Sequence, residues 1–286
     1  MKNIRKIYAV WKFQMISKIM NIKTLIIFLI MFLYIRAYEE PIMDFLKAVG
    51  IGIEPYLYPI LMNDIVFPII ILLGYLILVC DAPFIGNGYL FLVARCGKKS
   101  WIIGESLFML SYSALYTLSM YVFTIINFGT KIEFGTSWGK AILTLTRTDA
   151  AQQFGIHDFN QTVVENYMPI EATAKTIFLC TLLLWFIGML VFALNYLLKN
   201  QVGVLLAAMI IFGDLAIYNF FSDSLYRFSP VSLMKLSVIT GVNQWNPTFL
   251  YATSVLIGGS LILMAIVMVS AKFTKEIGRA SCRERV

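Results

Sequence analysis

The sequence predicts an all-α integral membrane protein, with six transmembrane helices preceded by an N-terminal amphipathic interfacial helix. Three observations carry that prediction. Of 286 residues, 59% are hydrophobic and 14% charged, at a mean hydropathy of +0.79. Soluble domains are charged at about a quarter of positions, so most of this surface is solvated by lipid. Six segments are apolar over close to the ~20 residues that a bilayer core of about 30 Å demands of a helix. The cations gather at the ends of those segments and not on one soluble face, so the net charge of +7 marks a membrane protein and no nucleic-acid binder.

The chain opens on a basic amphipathic stretch, 1–21. Ile4, Ile7, Tyr8, Trp11, Met15 and Ile19 recur at helical spacing on one stripe. Lys2, Arg5, Lys6 and Lys12 lie off it, while Lys18 borders it and must snorkel. Such a helix lies in the membrane interface; the plainer alternative is a charged leader to the first span. No compact apolar core with a small-residue cleavage site follows, so no cleavable signal peptide is expected. A six-span transmembrane domain then occupies 22–275, with spans at about 22–38, 64–80, 101–128, 171–198, 201–220 and 247–272. These must be helices, because lipid offers no partner to an open backbone.

The Lys and Arg distribution orients the spans. With the N-terminus inside, the inner segments hold twelve cations against two acids, Asp81 and Glu105. The outer segments hold eight cations against eleven acids. The positive-inside rule therefore puts both termini in the cytoplasm of a multi-pass protein of the cell membrane. The segment 81–100, within "DAPFIGNGYLFLVARCGKKSW", becomes a cytoplasmic loop. Its apolar middle, "YLFLVA", is too short to span. It reads as a short helix after Gly88, ended near Gly97, before Ser100 or Trp101 opens the third span. "KNQ" at 199–201 is a tight cytoplasmic turn. Outside lie loops at 39–63, 129–170 and 221–246, and the middle one is expected to hold one or two short helices. There is no internal repeat and no low-complexity run.

Catalytic chemistry is not expected. The single histidine, His157, lies in the long outer loop, which argues against a His-based metal site or triad. Glu39 and Glu40 read as a solvated helix end. "GTSWGKA" at 135–141 has three residues between its glycines and Ala141 after the lysine, where a phosphate loop needs four and a Ser or Thr. Asn160 opens a formal glycosylation triplet. Cys80, Cys96, Cys180 and Cys282 have no metal-ligand or CxxC spacing. The last residues, 276–286, resemble a translated sequencing adapter and are set aside as a non-native tail, so that the natural sequence is read as cut off near Lys275.

One charge falls inside a span. Asp214, in "IIFGDLAIY", has no cation near it in sequence. An intramembrane carboxylate is costly and is a candidate polar site; the alternative is a helix-packing hydrogen bond or a protonated carboxyl. Gly203, Ala207, Ala208, Gly258 and Gly259 suit close helix approach.

Taken together, these parts resemble the permease subunits of type-2 ABC exporters, especially small bacterial ones linked to antimicrobial-peptide or drug export and immunity. "DAPF…LVARCGKKSWIIGES" and "SPVSL" carry the resemblance, which covers nearly the whole chain to about Lys275. It implies that 81–101 forms a coupling helix seated in a groove of a separate cytoplasmic ABC ATPase. Arg95, Lys98 and Lys99 would be polar contacts and Phe84, Tyr89 and Phe91 apolar anchors, between Asp81 and Trp101. The positive-inside rule alone would account for the cations, though not for the segment's length or aromatic content. ATP-Mg would bind that partner, since this chain has no cofactor site of its own and is no enzyme. The chain would pair with itself or a related permease and move an amphipathic or apolar substrate, such as a peptide, drug or lipid-like molecule, outward. Two other readings stay open: a stand-alone secondary transporter or channel using Asp214, and a membrane scaffold or sensor.

Overall fold

The computed structural model describes residues 2–84, 89–156, 159, 161–220, 223–239 and 246–283. Among them the chain is helical without a strand, apart from one parallel bridge between Ile53 and Ile132. In chain order the helices are α1 (Lys2–Ile19), α2 (Ile22–Val49), α3 (Tyr58–Leu61), α4 (Val66–Val79), α5 (Tyr89–Cys96), α6 (Lys98–Ile126) and α7 (Gly139–Arg147). They continue with α8 (Ala150–Gln153), α9 (Gln161–Asn166), α10 (Pro169–Leu198), α11 (Val202–Phe220), α12 (Leu236–Ile239) and α13 (Phe249–Arg283). This is an all-α membrane protein.

Helices form at all six expected positions, but they are not six equal spans. Four are long and apolar enough to cross a bilayer: α6, α10, α11 and the Phe249–Lys272 part of α13. The pair α1 and α2, bent by 60°, adds a fifth when taken together. The expected second span is the correction. Helix α4 has 14 residues, about 21 Å at 1.5 Å per residue, short of a bilayer core. Its start is delayed because residues 62–65 turn: Asn63 Nδ2 donates to Pro59 O at 2.6 Å, and Tyr38 Oη donates to the Asp64 carboxylate. The first span is corrected in the other direction. Helix α2 runs 28 residues, through Pro41, to a left-handed Gly50 at φ 76°, well past the expected limit at 38.

Burial ranks the spans. The most apolar stretch of α10 is 67% buried against 22% in α11 and α13, so α10 is the central post and the other two face lipid. Around it sits a tyrosine layer, with Tyr75 centred 5.5 Å from Tyr116 and 6.3 Å from Tyr112. Tyr116 donates to Ile71 O at 2.8 Å. Gly74 makes room for that layer: a Cβ there would stand 2.6 Å from Tyr116 Oη. Of the small residues expected at helix contacts, Gly203 lies against the Val191 backbone and Gly259 against Phe186, whereas Gly258 faces open space.

Helix α1 is a docked helix. Its buried face is Val10 and Gln14, with Trp11 beside them, while Ile4 and Tyr8 of the expected stripe are exposed. Trp11 Nε1 donates to Ser111 Oγ at 3.0 Å, and Gln14 Nε2 to Glu105 Oε1 at 2.5 Å. Gly104 permits the approach, since a Cβ there would be 2.7 Å from Val10 Cβ. The helix therefore has two working faces, one on α6 and one for lipid. The middle loop holds three short helices, α7 to α9, where one or two were expected. His157, Asn160 and Gly88 lie outside the described residues.

Candidate functional site

The described residues of 81–101 fall into two parts, a turn tied by polar side chains and a short helix. The tied part is the turn after α4. Lys23 Nζ donates to Asp81 Oδ2 at 2.7 Å and to Cys80 Sγ at 3.2 Å, and Lys18 Nζ stands 3.9 Å from the same carboxylate. Burial alone would raise the Asp81 carboxyl. The hydrogen bonds from Lys23 and Cys80 and the charges of Lys23 and Lys18 more than offset it, holding the group below the usual carboxylate range. Lys18 also lies 4.0 Å from the Phe84 ring centroid, and Phe84 meets Phe108 edge-on at 5.6 Å. Ala82 O accepts from Asn195 Nδ2 at 2.8 Å, while Asn195 Oδ1 accepts from Gly203 N at 2.9 Å. One turn is thereby fastened to α1, α2, α6 and the α10–α11 connection.

The second part is α5, which forms as expected from the sequence, after position 88 and up to Gly97, and packs on α1 and α6 with Cys96 buried and Leu92 and Val93 against the core. Gly97 takes φ 82°, a left-handed value that suits glycine, and α6 starts directly at Lys98. Arg95 and Lys99 are exposed. Lys98 is half-buried and points at α13, 3.5 Å from Ala271 O. Clefts of about 670 and 560 Å³ open on either side of Lys98, one toward Asp81 and Asn195 and the other toward Lys99 and Lys272.

The structure thus sorts the eight residues expected at this site. Arg95 and Lys99 are available to a partner, and Lys98 is shared between the clefts. Asp81 and Phe84 are engaged with α1 and α2. Trp101 belongs to the core: it is 1% exposed, packs on Phe192 and Tyr196, and donates to Glu105 Oε1 at 2.9 Å. The apolar run that predicts the third span already pointed to that burial. Tyr89 and Phe91 lie on α5, and their side chains are outside the described residues. Asn195 was not foreseen; a polar residue near the end of an apolar helix was its signal.

Asp214 is the second candidate, and here the sequence reading needs correction. The carboxylate does have a cation. Lys235, 21 residues on, places Nζ 2.8 Å from Asp214 Oδ2. Ser229 Oγ donates to Oδ1 at 3.0 Å and Ser232 Oγ donates to the same oxygen. The run "SPVSLMK" folds back onto α11 as a cradle, and Asp214 and Lys235 are 2% and 6% exposed. A buried charge pair is tolerable when each oxygen is occupied and the counter-charge is present. Chemically this is a latch; an ion using Asp214 would have to displace Lys235.

The pair at the end of the expected first span also differs from its sequence reading. Glu40 is exposed, but Glu39 is 2% exposed and accepts from Asn127 Nδ2 at 2.9 Å. Helix α2 continues beyond it, so the side chain turns toward α6 and away from water. No group of three or more His, Cys, Asp or Glu suited to a metal occurs among the described residues. Comparison with family models, with characterised proteins and with solved structures finds no match to this chain.

Proposed function

We propose that this chain is the membrane-spanning subunit of an ATP-driven exporter of the type-2 ABC kind. It would be worked by a separate cytoplasmic ATPase that engages the loop 81–100 and would move an amphipathic or apolar substrate outward. One observation supports the reading most: the turn at Asp81–Phe84 is joined by side chains to four other parts of the bundle, next to a short helix whose Arg95 is exposed. A displacement of that helix is transmitted to several span ends together, because packed helices move as rigid pieces. Arg95 and Lys99 supply cations for an acidic groove, and the clefts beside Lys98 give a partner's side chains somewhere to enter. Pairing with a second copy or a related permease would enclose the path, with the lipid-facing sides of α11 and α13 as available surfaces.

The experiment is co-purification with a soluble ABC ATPase, to be sought in the neighbouring reading frame. Arg95→Glu with Lys99→Glu is expected to abolish it while membrane insertion is kept, since both side chains are exposed. Unchanged co-purification removes the coupling role. Labelling of a cysteine placed at Arg95 by a membrane-impermeant reagent on intact cells would reverse the orientation and remove the scheme altogether. In the transporter reading that uses Asp214, Asp214→Asn would abolish ion-driven transport in vesicles without any ATPase.

A further inference from the structure

At the opposite end of α2 from Asp81, a cleft of about 300 Å³ opens between α2 and the end of α6, lined by Arg36, Glu39, Glu40, Lys47 and Asn127. Two buried acceptors in it have no donor. Glu39 Oε2 takes the Asn127 amide, but Oε1 takes nothing, and Asn127 Oδ1 is likewise unpartnered. The exposed Glu40 adds a third acceptor at the rim. No ion pair joins Arg36 to either acid among the described residues, and Lys47 pairs with Asp44 at 3.0 Å. A buried carboxyl oxygen and a buried amide oxygen without a donor are costly, so this cleft is only half satisfied as it stands.

The cleft calls for a group with several N–H donors, and the exposed Glu40 at its rim favours a positive one; a primary ammonium is the compact group that meets both demands, whereas a quaternary ammonium has the charge but no donor. Arg36 lies four residues from Glu40 on the same helix, one turn or about 5.4 Å away, and offers a guanidinium to an anion beside that ammonium. Next along the helix from Arg36, α2 presents Leu33, Ile30, Leu29 and Ile26, each between 47% and 54% exposed. An apolar track therefore leads up to a zwitterionic cleft. We infer that this cleft binds an amphiphile whose headgroup joins a primary ammonium to a phosphate, with the ammonium on Glu39, Glu40 and Asn127, the phosphate on Arg36, and the chains along Leu33 and Leu29. This stands independently of any coupling to an ATPase.

The test is a titration of the purified full-length chain in detergent with short-chain phosphatidylethanolamine or phosphatidylcholine, read by native mass spectrometry. Charge-assisted hydrogen bonds are each worth about 1.5–3 kcal/mol, so losing one predicts at least about a tenfold preference for the ethanolamine headgroup. Glu39→Gln should erase the preference. Glu40→Gln, at an exposed position where folding is not at stake, should reduce it severalfold. Soluble phosphoethanolamine that displaces the lipid makes the headgroup sufficient; failure to displace it makes the lipid the ligand. Equal binding of the two lipids by the unaltered chain overturns the inference. So does a preference that both variants keep, which would leave Arg36 folding back onto Glu40 as the cleft's resting arrangement.

Discussion

Asp214 and Glu39 are both carboxylates left 2% exposed by the fold, and their surroundings are opposite. Asp214 receives a lysine and two serines from a loop that folds back over it. Glu39 receives one neutral amide and faces a cleft. A buried charge that the protein itself completes is architecture. One that it leaves half-complete is available to something else. The difference follows from chain supply: 229–235 returns to α11 with hydroxyls and an ammonium, whereas Asn127 at the end of α6 brings Glu39 a single amide.

The comparison breaks most visibly at the Asp214 latch. Asp214→Ala or Lys235→Ala leaves the other charge buried and alone, for a loss of about 3–5 kcal/mol. The double change Asp214→Asn with Lys235→Met should lose less than either single one. Thermal unfolding in detergent checks this, and two single variants as stable as the parent would dissolve the latch.

A smaller effect is expected at Glu105, a third buried carboxylate, whose donors Gln14 and Trp101 are neutral. Gly104→Val drives side-chain atoms into Val10 and should push α1 away, at about 1–3 kcal/mol for overpacking. The readout is thiol labelling of a Val10→Cys background, protected before the glycine is replaced and open after. Continued protection would mean that α1 is held by something other than that close approach.

Next comes a prediction of sign. In micelles free of amine-bearing lipid, Glu39→Gln replaces a buried carboxyl that has one oxygen unpartnered and should leave stability unchanged or raised by up to about 1 kcal/mol. Asp214→Asn strands Lys235 and should lower it. Shifts of the same sign in both melting curves would refute the contrast between the two sites.

The smallest effect belongs to the exposed Asp81 cluster. Its folded carboxyl lies below the ordinary value of 3.8, so its contribution is present above that value and lost as pH falls through the lower folded one. The small difference in melting temperature between the parent and Asp81→Asn should therefore stay constant from pH 5 to 8, begin to shrink below about pH 4 and vanish only below the lower folded value. A difference that grows on acidification would point to another titrating group.

Much of this was legible in the sequence. Local rules sufficed for the helix from Tyr89 to Cys96, because Gly97 can stop it and its apolar run is too short to cross. They also sufficed for Gly203 and Gly259, where small residues in apolar helices mark close contact. They failed where the deciding partner is remote. Lys235 is invisible from Asp214 because 21 residues and a helix end separate them. The resemblance counted Trp101 with the coupling segment, although it opens the third span and packs on Phe192 and Tyr196. The expected first span stops at 38, although α2 continues through Pro41 to Gly50.

The sequence by itself determined the solvent, the helical class and the positions of the apolar segments, because hydropathy, the need to satisfy the backbone in lipid and the placement of glycine act over neighbouring residues. Only the tertiary structure decided which charges are completed, that α10 is the central post, that α1 is docked, and that Glu39 is buried. Those depend on which side chains of distant segments arrive at the same place, and burial multiplies the cost of each polar group that arrives without a partner.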